Sequence, residues 1–236
     1  MKLHKLYDYP TSSRALYSGE RMYDVGSERL PSVTTILSAT QPPEKQAALA
    51  AWKARVGEEQ ATRTRDQSAN RGTAVHTIIE GYLKNENHLD LTDLGQQAHP
   101  MAQKIINNCI KDRVTEILGI EPTLFHAGMR YAGATDLICI HEGVPTICDW
   151  KQSNRPKRRE WLLDSYLLQI AAYSLAFQDM FGDIIHKGIN AVCTPDLYYQ
   201  EFVWEGEEFK QAKYEWMRRV EQYYNQKEKG LIDKTK

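Results

Sequence analysis

The chain has 236 residues, 42% of them hydrophobic, with 30 Lys and Arg against 31 Asp and Glu and a formal net charge of -1. That is enough length and apolar content for one domain with a sizeable core. The charge balance gives no global sign of nucleic-acid binding, so any such role must rest on local basic patches.

Residues 1–30 are rich in Tyr, Ser and Gly and are read as a small hairpin around 17–23. Ser32 or Thr34 starts a helical turn that Pro42-Pro43 breaks. Residues 44–60 carry Ala, Leu and Trp at helical spacing, with Trp52 read as core rather than as a base-stacking residue. A helix is expected over 68–84, opened by Arg71-Gly72-Thr73-Ala74-Val75-His76, with Glu80 one turn beyond His76. Glu80 is read as a surface carboxylate or as a partner for His76. A polar link, 85–95, leads to a helix expected over 97–118 and capped by Gly119.

Three strands are expected between Glu121 and Lys151. The stretch Tyr131 to Lys151, YAGATDLICIHEGVPTICDWK, reads as two apolar strands turning through His141-Glu142-Gly143. Residues two apart on a strand share a face, so Asp149 and Lys151 project together, and the hairpin can bring Asp136 near them. Two carboxylates beside a lysine can hold Mg²⁺ or Mn²⁺ and activate water against a phosphate. The backbone carbonyl of Trp150 is a further candidate ligand. The bland alternative is an exposed hairpin with a surface ion pair.

A basic loop follows, with Arg155, Lys157, Arg158 and Arg159, then a helix expected over 159–181 with Gln169 and Tyr173 on one face. Strands at 185–194 and 198–204 turn at Pro195-Asp196, and an amphipathic helix over 207–229 ends the chain. A second basic patch, Arg63, Arg65 and Arg71, precedes His76. Cys109, Cys139, Cys148 and Cys193 form no CxxC pair; Cys139 and Cys148 read as small buried residues, and the set suits a reducing compartment. No apolar run approaches a membrane span. The N-terminus lacks the core of a signal peptide and the Arg-rich character of a transit peptide, so a cytoplasmic location is expected.

The order of His76, Glu121, GxxD ending at Asp136, DWK at 149–151 and QxxxY at 169–173 resembles the RecB-like branch of the PD-(D/E)xK nuclease superfamily. With PSVTTIL at 31–37 added, the pattern is most similar to the group that holds the mitochondrial genome maintenance exonuclease and its phage and bacterial relatives. The resemblance covers roughly 30–195; the ordered set is specific, while no single element is. It implies a mixed α/β fold: a restriction-endonuclease-like core sheet flanked by helices, in a single domain 1–236. About 1–119 would form the N-terminal hairpin and helical subdomain, and about 120–236 the core.

The resemblance also implies roles. Asp136, Asp149 and His76 would be metal ligands, Lys151 the catalytic lysine, and Glu121 the early acidic residue near the metal or its water. Gln169 and Tyr173 would support the site and touch DNA. Many relatives have Glu at the position of Asp149; the group with DWK uses Asp. Some RecB-like nucleases carry an iron–sulfur cluster, but the downstream cysteine group it needs is missing, so none is expected. The implied partner is DNA, preferentially single-stranded, with no membrane. The implied activity is Mg²⁺- or Mn²⁺-dependent exonucleolytic hydrolysis; a structure-specific endonuclease shares the same core, and a non-catalytic DNA-binding module is the remaining reading.

Overall fold

The computed structural model describes residues 2–4, 6–86 and 90–230. The middle of the polar link, 87–89, therefore lies outside the described residues. The strands are β1 (Lys2–Leu3), β2 (Ser12–Tyr17), β3 (Glu20–Val25), β4 (Glu28–Pro31), β5 (Val114–Ile120), β6 (Thr123–His126), β7 (Tyr131–Ala134), β8 (Leu137–His141), β9 (Val144–Gln152), β10 (Lys187–Cys193) and β11 (Tyr199–Trp204). The helices are α1 (Val33–Ala39), α2 (Pro43–Val56), α3 (Glu58–Lys84), α4 (Asp93–Ile105), α5 (Tyr166–Phe181) and α6 (Gly206–Glu228).

The fold is mixed α/β. Its central sheet has the order β1-β5-β8-β9-β10-β11, with β1 parallel to β5, β9 parallel to β10, and the other neighbours antiparallel. β9 alternates between two buried faces. Ile147 packs with Leu168, Tyr173, Trp204 and Trp216, on the side of α5 and α6. Cys148 and Trp150 pack with Val75, Ile79, Met101 and Ile105, on the side of α3 and α4. Cys139 and Cys148 are fully buried. The β8–β9 turn is tight: His141 pairs with Val144 across Glu142 and Gly143, both left-handed at φ 51° and 81°. Glycine tolerates that conformation without cost, which fits a two-residue hairpin.

Several boundaries differ from the sequence reading. The helix expected over 97–118 stops early: α4 ends at Ile105, passes through a wider π turn at Ile106–Ile110, and gives way to β5. Asp112 makes the break in the left-handed region, at φ 61°, a conformation short polar side chains tolerate. The residues beyond it, VTEILGI, are rich in the β-branched types that suit a pleated surface. Gly119 is thus a strand residue, packed under Tyr9, rather than a helix cap. Because β1 and all but the last residue of β5 precede residue 120, the core sheet draws on both sides of the expected 1–119 and 120–236 division. The helix expected over 68–84 is the second half of the 27-residue α3, so Arg71 lies inside a helix rather than opening one. The helix expected from 159 begins at Tyr166, after a single tight turn at Arg159–Trp161.

Candidate active site

The site forms where two strand pairs change partners. Ile120 pairs with Leu137 in the central sheet, while Thr123 pairs with Ala134 in the separate β6–β7 ribbon. Glu121 and Asp136 occupy the corner between them, tied by the Glu121 N–H donating to the Asp136 carbonyl at 3.0 Å. Glu121 is left-handed, with φ 50°, which lets the chain turn the corner. Asp136 therefore sits in a break between β7 and β8 rather than early in one continuous strand.

The same corner ends the β8–β9 ladder. Its last pair is Leu137 with Cys148, so beyond it the Trp150 N–H donates to Asp136 Oδ2 instead of to a strand. The indole of Trp150 is buried on the α3–α4 side, while Asp149 and Lys151 point the other way. Lys151 Nζ lies 2.6 Å from Asp149 Oδ2 and 5.4 Å from the ring centre of Tyr166. Asn190, at the paired position on β10, donates to Asp149 Oδ2 at 3.0 Å, and its own Oδ1 accepts from Trp204 Nε1 at 2.8 Å.

α3 brings the imidazole. His76 Nδ1 is 3.1 Å from Asp136 Oδ1, and one ligand atom each from His76, Glu121 and Asp136 lie within 4.8 Å of one another. A nitrogen and carboxylate oxygens so arranged fit a hard or borderline divalent cation. Asp149 is outside this triad; its carboxylate is engaged by Lys151 and Asn190. Glu80 does not meet His76: it pairs with Lys84 at 2.6 Å.

The charges at the corner are strongly coupled. Burial pushes Glu121 up, helped by the Asp136 and Glu80 carboxylates and opposed by His76, to about 8. Burial would lower His76, but the Asp136 carboxylate outweighs it and raises the imidazole to about 9. Asp136 shifts down despite burial, because His76, Lys151 and the Trp150 N–H favour its charged form. Burial raises Asp149, with Lys151 opposing. Without a cation, these shifts favour a protonated Glu121 and a charged His76.

The structure also locates the other expected residues. Gln169 Nε2 donates to Tyr173 Oη at 2.9 Å, and both side chains are buried on α5. Tyr173 presses on the GxxD strand: a Cβ at Gly133 would lie 2.7 Å from Tyr173 Cε1, so that glycine is required for close approach. Arg63 and Arg65 are exposed on α3 and pair with Glu59 and Asp66. Arg71 donates to Asn154 Oδ1, and Asn154 Nδ2 donates to Ser68 at 2.9 Å, so α3 is tied to the segment leaving β9. Arg155 and Arg158 are exposed, with guanidinium carbons 5.8 and 5.4 Å from the Trp161 ring centre. Arg159 is engaged elsewhere: it donates to the Val203 carbonyl and Glu208 and lies 4.1 Å over the Trp204 ring.

Asn190 escaped the sequence reading. The signal was a polar residue in the middle of the wholly buried KGINAVC strand, where an amide needs partners to be tolerated.

Residues 37–227 match the PD-(D/E)XK nuclease superfamily. The chain belongs to that superfamily. It is 30% identical to mitochondrial genome maintenance exonuclease 1 of Mus musculus over 151 residues, 61% of this chain and 43% of that protein. The Homo sapiens protein of the same name is 24% identical over 213 residues, 87% of this chain and 61% of that one. The chain thus spans between about two-fifths and three-fifths of these relatives. Among solved structures, an alkaline exonuclease from Laribacter hongkongensis aligns with a TM-score of 0.32 at 13% identity, over 66% of this chain and 83% of that one. Among the described residues, no helix is long and apolar enough to cross a membrane.

Proposed function

We propose that this protein is a metal-dependent DNA exonuclease that prefers linear single-stranded DNA or single-stranded ends. The observation that carries the proposal is the convergence of His76, Glu121 and Asp136 beside the Asp149–Lys151 pair. His76, Asp136 and Glu121, with Asp149 and the Trp150 carbonyl at their flank, would hold Mg²⁺ or Mn²⁺. Such an ion, when bound, polarises a phosphoryl oxygen and makes water a better nucleophile.

The remaining work falls to this chain's own groups. Lys151 presents an ammonium at the phosphate side of the centre, where negative charge builds as the phosphodiester is attacked. Asp149 fixes that ammonium by its 2.6 Å contact, and Asn190 fixes Asp149 in turn. The pair is set before substrate arrives, so little reorganisation is needed at the moment of reaction. Gln169 and Tyr173 back the strand that carries Asp136 through the Gly133 contact, a positioning role.

The exonuclease reading is supported by the names of the relatives. The test is digestion of end-labelled linear single strands, covalently closed single-stranded circles and blunt duplex, with Mg²⁺ and with excess chelator. Fast cutting of the linear strand alone, abolished by chelator, is expected. Equal cutting of linear and circular strands would replace the exonuclease reading with an endonuclease; full activity in chelator would overturn the metal.

A further inference from the structure

Helix α5 lies close on the sheet because two glycines make room for it. A Cβ at Gly188 of β10 would run into Ile170, and one at Gly133 of β7 would lie 2.7 Å from Tyr173 Cε1. Tyr166, Ile170 and Tyr173 are four and three residues apart, so they share one face of the helix. Held by that face, α5 begins beside the end of β9. The ring centre of Tyr166, its first residue, is 5.4 Å from the Lys151 ammonium.

The neighbouring phenols are used up inside the fold. Tyr131 donates to the Ala172 carbonyl at 2.8 Å, and Tyr173 accepts from Gln169 at 2.9 Å. Tyr166 differs. It is only half-buried, and among the described residues its hydroxyl has no hydrogen-bond partner. Nor is that oxygen among the unpaired atoms sealed inside the protein, so it is open to solvent. Packing uses the ring alone and leaves the hydroxyl free for a ligand.

The surroundings suit a donor. Burial raises the Tyr166 pKa, Lys151 opposes the rise and Asp149 adds to it, so the phenol keeps its proton at neutral pH. Lys151 spends one N–H on Asp149 at 2.6 Å, and its ammonium is within cation–π range of the Tyr166 ring. A fixed ammonium and a free phenolic O–H therefore stand side by side at the edge of the corner.

We infer that Tyr166 is a further catalytic residue of this site, its hydroxyl donating to a non-bridging oxygen of the phosphate that Lys151 contacts. The inference rests on the nuclease reading above. Negative charge on that oxygen grows as water attacks, so the bond is stronger in the transition state than in the bound substrate. In the hydrolysis, water forms the new P–O bond and its proton passes to solvent. The departing sugar oxygen takes a proton up, and Tyr166 keeps its own throughout.

The test is single-turnover cleavage of end-labelled linear single strands by the full chain with Mn²⁺, which tolerates sulfur better than Mg²⁺ does. Tyr166→Phe keeps the ring and removes only the hydroxyl. Its maximal rate should fall between about tenfold and 100-fold, the range for one hydrogen bond to a charged group, with KM and the melting temperature held. Tyr166→Leu should fall further, because the ring beside the ammonium is lost as well. The same strands are then made with stereodefined phosphorothioate linkages, which place sulfur, a poor acceptor, at one non-bridging position or the other. Sulfur at the position Tyr166 binds should slow the wild type, and that slowing should shrink in Tyr166→Phe for this isomer only. Cleavage by Tyr166→Phe within about twofold of wild type overturns the inference. So does a slower variant with both sulfur effects unchanged, which would mark a purely structural role. A wild-type chain that cuts no strand with any divalent metal overturns the nuclease reading and this inference together, whereas the other two failures leave the nuclease reading standing.

Discussion

The strand corner and the basic cleft between α2, α3 and the segment leaving β9, lined by Arg55, Arg155 and Lys157, are built on opposite principles. At the corner each charged group is held by another: Asp149 by Lys151 and Asn190, Asn190 by Trp204, Asp136 by His76 and the Trp150 N–H. In the cleft, the cations face an open groove and the ties lie at its ends. The difference reflects what each region must do. Charge that stabilises a reacting phosphate works best when it is preorganised, and on the proposed function that is the work of the corner, whereas a surface along which a strand would move cannot hold it rigidly. Substitutions at the corner should therefore act on kcat, and those in the cleft on KM and salt dependence.

The largest effect is expected from Asp136→Asn. It removes charge from the triad and leaves His76 beside a neutral amide, and kcat on linear single strands should fall by more than about 1,000-fold, beyond the range for one electrostatic donor. Lys151→Ala keeps the carboxylates and should cost about 100-fold in kcat, with DNA affinity changed far less. Asn190→Ala touches no substrate and acts through Asp149, so about a tenfold loss in kcat is expected, with KM held. If single-turnover kinetics show Asn190→Ala changing KM and not kcat, the corner does not work through a preset Asp149–Lys151 pair.

The basic segment sharpens the comparison further. Arg158→Ala should raise KM a few-fold and reduce the salt slope by about one ion. Arg159→Ala should leave the salt slope unchanged, because its guanidinium is committed to Val203, Glu208 and Trp204. Its effect should be a small loss of thermal stability, well under about 1 kcal/mol for so exposed a pair.

Protonation gives the most diffuse effect, spread over several pH units. Glu121 and His76 both sit above their ordinary values when no cation is bound. A group raised on folding contributes stability that is complete below its unfolded pKa and lost as pH rises through the folded one. The chelated protein should therefore lose stability as pH climbs from about 4.5 through about 8 for Glu121, and from 6.5 through about 9 for His76. Glu121→Gln should flatten the lower part of that decline in a series of thermal melts.

Much of this was legible in the sequence because the informative residues are local. The alternation in VPTICDWKQ and the tight Glu142-Gly143 turn are enough to draw the β8–β9 hairpin, and the ordered residues from His76 to Tyr173 point to the superfamily. The illegible parts depended on long-range partners. The run up to Asp112 extends the helical spacing through Ile105, Ile106, Cys109 and Ile110, and only pairing with β8 claims the next seven residues, Val114–Ile120, for a strand. Arg158 and Arg159 are identical in sequence terms, and only the position of β11 and α6 shows that one lies exposed beside Trp161 and the other meets a carboxylate. Trp52 reads as core by its spacing, yet α2 has no core to enter. Glu121 was assigned from order alone; the corner that sets it against Asp136 depends on an exchange of strand partners that no short window reveals.

The central claim is that the strand corner is one divalent-cation centre, and calorimetric titration with Mn²⁺ tests it most directly. The wild-type chain should bind Mn²⁺ with release of protons as the cation displaces those shared by His76 and Glu121, while Asp136→Asn and His76→Ala, each folded by circular dichroism, should lose most of that binding. Unchanged Mn²⁺ affinity in both variants would contradict the account.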